Sequence, residues 1–196
     1  MAVITIGPGA TDRAGAMTFD GYTDIDFNVP ATGSGTLKAI DFWFTSGPTG
    51  FKAGTFYRHA TSNEYWYCRD SAVIAPVSPG SKVTVTTDSG GTALSINVNL
   101  GDYFGMYCVT GQIERDTTGY SGVYFYGGDG CNSGDLAQYA WLSGDAFSAF
   151  ASGATPAAGG GAWTQFASAN GQSFDLIYSM PGIAKDVTSK VQGMTV

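Results

Sequence analysis

The sequence predicts an all-β chain: an antiparallel β-sandwich of jelly-roll type with little helix. Three observations predict it. Apolar and aromatic residues alternate with polar ones at period two in short runs, the signature of half-buried strands. The runs are separated by turn chemistry such as Gly47-Pro48, Pro79-Gly80, Asp88-Ser89-Gly90-Gly91 and Gly127-Gly128-Asp129-Gly130. The composition, with 29 Gly, 14% aromatic and 13% charged residues, suits many tight turns around an apolar interior. That charged fraction is about half the usual ~25%, which argues against a disordered chain.

Taken in order, residues 2–6 form a first run. Residues 36–45 set Ile40, Phe42 and Phe44 against Asp41 and Trp43 on the opposite parity. Runs follow at 51–58, at 63–68 with Tyr65 and Tyr67 against Trp66 and Cys68, at 81–87 and at 94–98. Further runs lie at 102–109, 120–126, 146–150 and 172–178. About ten strands of this length match a two-sheet sandwich. The best helical candidate, residues 135–142, is short. Residues 1–180 read as one domain, with 154–161 (ATPAAGGG) as a long loop inside it. Residues 181–196 read as a tail without aromatics, either a docking peptide or a frayed terminus.

Charge and cysteine usage exclude several function classes. The net charge is −7, and the nine Lys and Arg are scattered, so the basic footprint that nucleic acid requires is missing. No apolar run approaches the ~18 residues of a membrane span, and the first residues carry no secretory pattern. Cys68, Cys108 and Cys131 lack CxxC spacing and read as buried free thiols, with a Cys68–Cys108 bridge left open.

Catalytic chemistry is hard to place. His59 is the one histidine, no GxSxG elbow exists, and the acidic pairs Asp24/Asp26, Glu114/Asp116 and Asp129/Asp135 stand among 16 carboxylates. The chain is therefore read as a non-enzyme without a cofactor. Asp129, Asn132 and Asp135 offer oxygen ligands of the kind calcium takes, yet their spacing matches no calcium loop and a simple turn explains them. The aromatics are more informative. Adjacent aromatics such as Phe42-Trp43-Phe44, Tyr65-Trp66-Tyr67 and Tyr124-Phe125-Tyr126 place rings on both faces of a strand. Trp43, Trp66, Tyr124 and Tyr126 are thus candidates for a protein interface or a sugar-stacking platform. Two loops set an acid beside an arginine in opposite order, Asp12-Arg13 and Arg115-Asp116. Fork-like pairing of Asp12 with Arg115, or of Arg13 with Asp116, is expected to join them, with solvated turn charges as the alternative.

The segments IGPGATDRAG (6–15), GDYFGMY (101–107) and IERDTTGYSGVYFYGGD (113–129) resemble jelly-roll-like, virion-associated proteins of phages and prophages. The Lys190-Val191-Gln192-Gly193-Met194 unit is similar to short C-terminal repeats of such proteins. The resemblance spans residues 4–153 plus the tail and carries no catalytic residue. It implies a structural or interaction protein on a virion surface, as a capsid decoration or tail-associated component, made in the host cytoplasm and released by lysis. Its implied partners are other virion proteins and further copies of itself, with a trimer favoured. The alternative is a carbohydrate-binding module recognising a cell-surface glycan.

Rings on both strand faces, with few charges to cover them, predict a homo-oligomer in which residues 183–196 reach a neighbour. Light scattering is expected to show self-association of the full chain and its reduction in a chain ending at Gly182. Monomers in both cases, with no binding to particles, would rule out this role for the tail.

Overall fold

The period-two pattern becomes fifteen strands and no helix among residues 1–156, which are the residues described by the computed structural model. The chain divides into Met1–Gly159 and Gly160–Val196, and every described residue belongs to the first unit. The expected strand at 172–178, the boundary at 180 and the tail lie outside the described residues. In chain order the strands are β1 (Val3–Gly9), β2 (Gly15–Thr18), β3 (Tyr22–Asp26), β4 (Gly35–Thr49), β5 (Lys52–Arg58), β6 (Tyr65–Val73), β7 (Lys82–Val85) and β8 (Ile96–Val98). They continue with β9 (Tyr103–Cys108), β10 (Thr110–Asp116), β11 (Gly122–Tyr126), β12 (Leu136–Gln138), β13 (Ala140–Ser143), β14 (Ala146–Phe147) and β15 (Ala149–Ala154).

One sheet runs β1-β15-β4-β10-β14, with β2 on β10 and with β7 and β8 on β4. The other runs β12-β6-β5-β9-β3-β11-β13. Every named strand pairing is antiparallel. The antiparallel sandwich is the predicted class, and this strand order is its connectivity. The segment 135–142, weighed as a helix, instead forms β12 and β13. Tyr139 and Trp141 share one parity there, and the chain pairs with β6 through β12 and with β11 through β13.

The main core lies between the sheets. From β4, Leu37, Ile40, Phe42 and Phe44 point inward, and Phe51, Phe104, Met106, Ile113, Val123 and Phe147 meet them. Phe42 packs on Phe51 with ring centroids 4.9 Å apart and on Phe44 at 5.6 Å. A second apolar cluster covers the opposite face of the second sheet: Ile25, Phe56, Trp66, Cys68 and Tyr124, closed over by Cys131 and Tyr139. The two-faced aromatic pattern therefore has a covering segment within the chain. The cover is the stretch from Gly127 to Tyr139; Ala154 ends β15, and residues 157–161 of the expected loop lie outside the described residues.

That segment is pinned by hydrogen bonds to three strands. Thr23 Oγ1 donates to Gly128 O (2.7 Å) and accepts from Gly130 N (2.8 Å). Cys68 N donates to Asp135 O at 2.9 Å, and Gly134 N donates to Cys68 O at 2.8 Å. Lys52 Nζ donates to Asp129 Oδ2 (2.5 Å) and Asn132 Oδ1 (2.6 Å). Cys68 and Cys131 lie in the outer cluster and Cys108 in the main core, so all three are buried free thiols and a Cys68–Cys108 bridge is excluded by the sheet between them. Gly105 on β9 makes room for this layer: a Cβ there would lie 2.6 Å from the Phe56 ring.

Truncating a fully buried ring leaves a cavity that the surrounding strands cannot fill. Phe42→Ala is expected to cost about 3–5 kcal/mol in denaturant unfolding. Trp141→Ala, at a ring that is 42% exposed, is expected to cost clearly less.

Candidate functional site

Three places in the described residues gather polar and aromatic side chains, and each collects some of the residues singled out from the sequence. The first is a cleft of about 540 Å³ on the outer side of the second sheet, lined by Asn63, Glu64, Tyr124, Gln138 and Trp141 among others. Asn63 and Glu64 come from the β5–β6 turn, Gln138 ends β12, and Trp141 stands on the edge strand β13. Trp141 and Tyr124 lie side by side across the β11–β13 pair, with centroids 4.5 Å apart. Gly122 makes this placement possible: its φ is +141°, and a Cβ there would lie 2.6 Å from the Trp141 ring.

The polar side of the cleft is pre-ordered. Gln138 Nε2 donates to Glu64 Oε2 at 2.8 Å. Behind it, Arg58 donates to Asn63 Oδ1 at 3.3 Å and to the Tyr124 hydroxyl at 3.1 Å. The Arg58 guanidinium lies 4.7 Å from the Phe27 ring, 5.0 Å from Trp66 and 5.6 Å from Tyr124, a desolvated cation–π setting that fixes it. Trp66 is fully buried in this support and Tyr124 is 8% exposed, so neither is the exposed platform expected of it. Tyr126 is half-buried against Tyr139 at 5.6 Å, and Trp43 sits half-buried on the other sheet, opposite Lys82. Of the rings lining the cleft, the exposed one is Trp141, which the sequence reading passed over. The alternation of Tyr139 and Trp141 was the available signal, masked by the weak helical look of 135–142.

The second place joins the two acid–arginine loops. Arg13 is buried; its Nη1 lies 2.5 Å from Asp116 Oδ2 and 2.8 Å from the Tyr120 hydroxyl, and its Nε donates to Ser148 Oγ at 2.8 Å. Its backbone N–H donates to Glu114 Oε2. Of the two pairings considered, the structure forms Arg13 with Asp116. Arg115 lies 3.1 Å from Asp145 Oδ2 instead of meeting Asp12, which is exposed. The acidic pair Asp24 and Asp26 points to the same interior side. Asp26 accepts N–H groups from Asn28 (3.0 and 2.9 Å) and from Phe147 (3.2 Å).

The third place is the loop with the calcium-type ligands. Lys52 holds Asp129 and Asn132, and Asp135 Oδ2 accepts from Asn132 Nδ2 at 2.8 Å. An ammonium thus occupies the position a cation would take, and the loop is a clamp on the outer apolar layer. His59 lies in the β5–β6 turn with its ring on Tyr67 at 5.7 Å and Nδ1 beside Thr61 Oγ1 at 3.2 Å, an arrangement that caps a turn.

No protein-family model, no curated protein and no solved structure matches the chain.

The buried carboxylates carry a pH signature. Burial pushes Asp26 up to about 7, against the opposing pull of its N–H donors. A folded value above the unfolded one means that its contribution is fully present below about pH 4 and is lost as pH rises through 7. Urea unfolding is expected to show wild type losing stability relative to Asp26→Asn between pH 4 and 7, on the order of 4 kcal/mol at most. Parallel pH profiles for the two proteins would contradict this.

Proposed function

We propose that this chain is a non-catalytic recognition domain that binds a neutral glycan in the Trp141 cleft. One observation carries the reading. A large exposed ring, Trp141, shares a cleft with the amides of Asn63 and Gln138 and the carboxylate of Glu64. A sugar presents an apolar C–H face to an aromatic ring and hydroxyls to amides and carboxylates at the rim, which is the division of labour such a cleft offers. The support behind it, Arg58 within Phe27, Trp66 and Tyr124, holds the wall before any ligand arrives, so less ordering is needed on binding. The chain's net charge of −7 disfavours polyanionic sugars. Glu64 is the carboxylate lining the cleft, and it already accepts a bond from Gln138, whereas glycoside hydrolysis generally uses two carboxyl groups across the bond. This supports binding over cleavage.

The virion-surface role implied by the sequence resemblance is compatible with this reading and supplies its setting: a decoration or tail-associated subunit exposes such a cleft to a host-cell glycan.

A glycan array probed with the full chain is expected to give neutral-sugar hits that fall at least tenfold in Trp141→Ala and persist in Trp43→Ala. Hits that survive Trp141→Ala would overturn the cleft assignment. Mass spectrometry of purified phage particles tests the setting, with the chain expected among their components.

A further inference from the structure

A second crevice lies at the seam where the two sheets part. Its volume is about 410 Å³, and its walls include Met17 from β2, Tyr22 and Asp24 from β3, Arg115 from β10, Phe125 from β11 and Leu142 from β13. β2 lies on β10 in one sheet, while β3, β11 and β13 are consecutive in the other. The crevice is therefore a slot between sheets, with apolar side walls and a carboxyl group set into it.

That carboxyl is anomalous. Asp24 is 1% exposed, and its Oδ2 has no hydrogen-bond partner among the described residues. An ionised carboxylate taken out of water without a partner is costly, and buried charges in native proteins are paired or bind a ligand. Nearby Arg115 lies with Nη1 3.1 Å from Asp145 Oδ2, a charge contact without hydrogen-bond geometry, and leaves Asp24 Oδ2 without a hydrogen bond. Arg13 is likewise taken up by Asp116, Tyr120 and Ser148. Around the seam, Asp24, Asp26, Glu114, Asp116 and Asp145 stand against two bases, Arg13 and Arg115. Of these carboxyl groups, Asp24 is the one that lines the slot.

We propose that the seam crevice binds an aliphatic ammonium group, with Asp24 as its counter-ion and Met17, Phe125 and Leu142 as the walls that cover the methylene stem. The chemistry matches on both counts. A straight alkyl chain packs against the apolar side chains of the crevice, and an ammonium supplies three N–H donors to a carboxyl oxygen that lacks one. Desolvation by burial holds the Asp24 carboxyl well above the ordinary carboxylate range, opposed by the charge of Arg115. An ammonium seated against Asp24 supplies the opposite charge that favours the ionised carboxylate. The same chemistry is offered by a lysine side chain of a partner protein and by a free alkyl diamine.

Isothermal titration of the full chain with N-acetyl-lysine-N-methylamide, with pentane-1,5-diamine and with N-acetyl-norleucine-N-methylamide tests this. Saturable binding of at least one amine is expected, with a Kd on the order of 1 mM for so small a ligand. The norleucine compound, which has the stem and not the charge, is expected to bind at least tenfold more weakly. Tighter binding of the capped lysine points to a protein side chain as the natural ligand, and tighter binding of the diamine points to a free amine. Asp24→Asn, nearly isosteric, is expected to lower amine affinity at least tenfold. Equal binding of the lysine and norleucine compounds, wild-type affinity in a folded Asp24→Asn, or no saturable binding of either amine would each overturn the proposal. The norleucine comparison uses the wild-type chain and decides the matter even if Asp24→Asn does not fold.

Discussion

A sheet that carries apolar side chains on both faces must be covered on both, and this requirement organises the molecule. The second sheet presents Phe104, Met106 and Val123 to the sandwich core and Ile25, Phe56, Trp66 and Tyr124 to the outside. The first sheet covers one face. The other face is closed by the stretch from Gly127 to Tyr139, which brings Cys131 and Tyr139 down onto it and leaves the polar groups of the loop bonded to β3, β5 and β6. Burying a loop backbone is tolerated only when its N–H and C=O groups find partners, and here Thr23, Cys68 and Ser71 supply several of them. The cleft is a by-product of this cover. Where the covering segment ends, it turns into β12 and β13 and sets Gln138 and Trp141 beside the β5–β6 turn.

The charged residues have the opposite logic. Arg13, Glu114, Asp116 and Ser148 tie the N-terminal loop, β10 and the β14–β15 junction into one bonded group that is largely out of water. Buried ion pairs of this kind add little net stability compared with apolar packing, because desolvation offsets most of their attraction. Removing one partner is costly, since the other is left buried and unpaired. Such a network penalises mispairing of these segments. It also accounts for the low tolerance expected at Arg13, whose guanidinium serves Asp116, Tyr120, Ser148 and the Gly9 carbonyl together.

Edge strand β13 links the two proposed binding places through strand alternation alone. Trp141 points outward to the cleft, and its neighbour Leu142 points inward to the seam crevice. A shift of that strand by one residue would exchange the two side chains and dismantle both places. Gly122, across from Ser143 on β11, is the position where the backbone admits the Trp141 ring.

Local sequence determined much of the architecture. Alternation in 36–45, 51–58 and 102–109 was enough to place β4, β5 and β9: β4 sends Ile40, Phe42 and Phe44 to the main core, and β5 and β9 are strand-like apolar runs covered on both faces. The absence of helical periodicity was legible for the same reason. Two strands that carry charged groups, β3 (YTDID) and β10 (TGQIERD), are not among the runs that alternation marks: Asp24 and Asp26 stand out in sequence as an acidic pair and Arg115-Asp116 as a charged loop, and the fold alone takes Asp24, Asp26 and Glu114 out of water. The acid–arginine loops were visible in sequence as a pairing, but only the fold chose Asp116 for Arg13 and Asp145 for Arg115. The aromatic pattern showed that both faces of some strands are apolar. Which rings stay exposed was decided by the cover: it buries Trp66 and Tyr124 and leaves Trp141 at its edge. Alternation is a property of adjacent residues and is written in the sequence, whereas exposure depends on which distant segment arrives to cover a face.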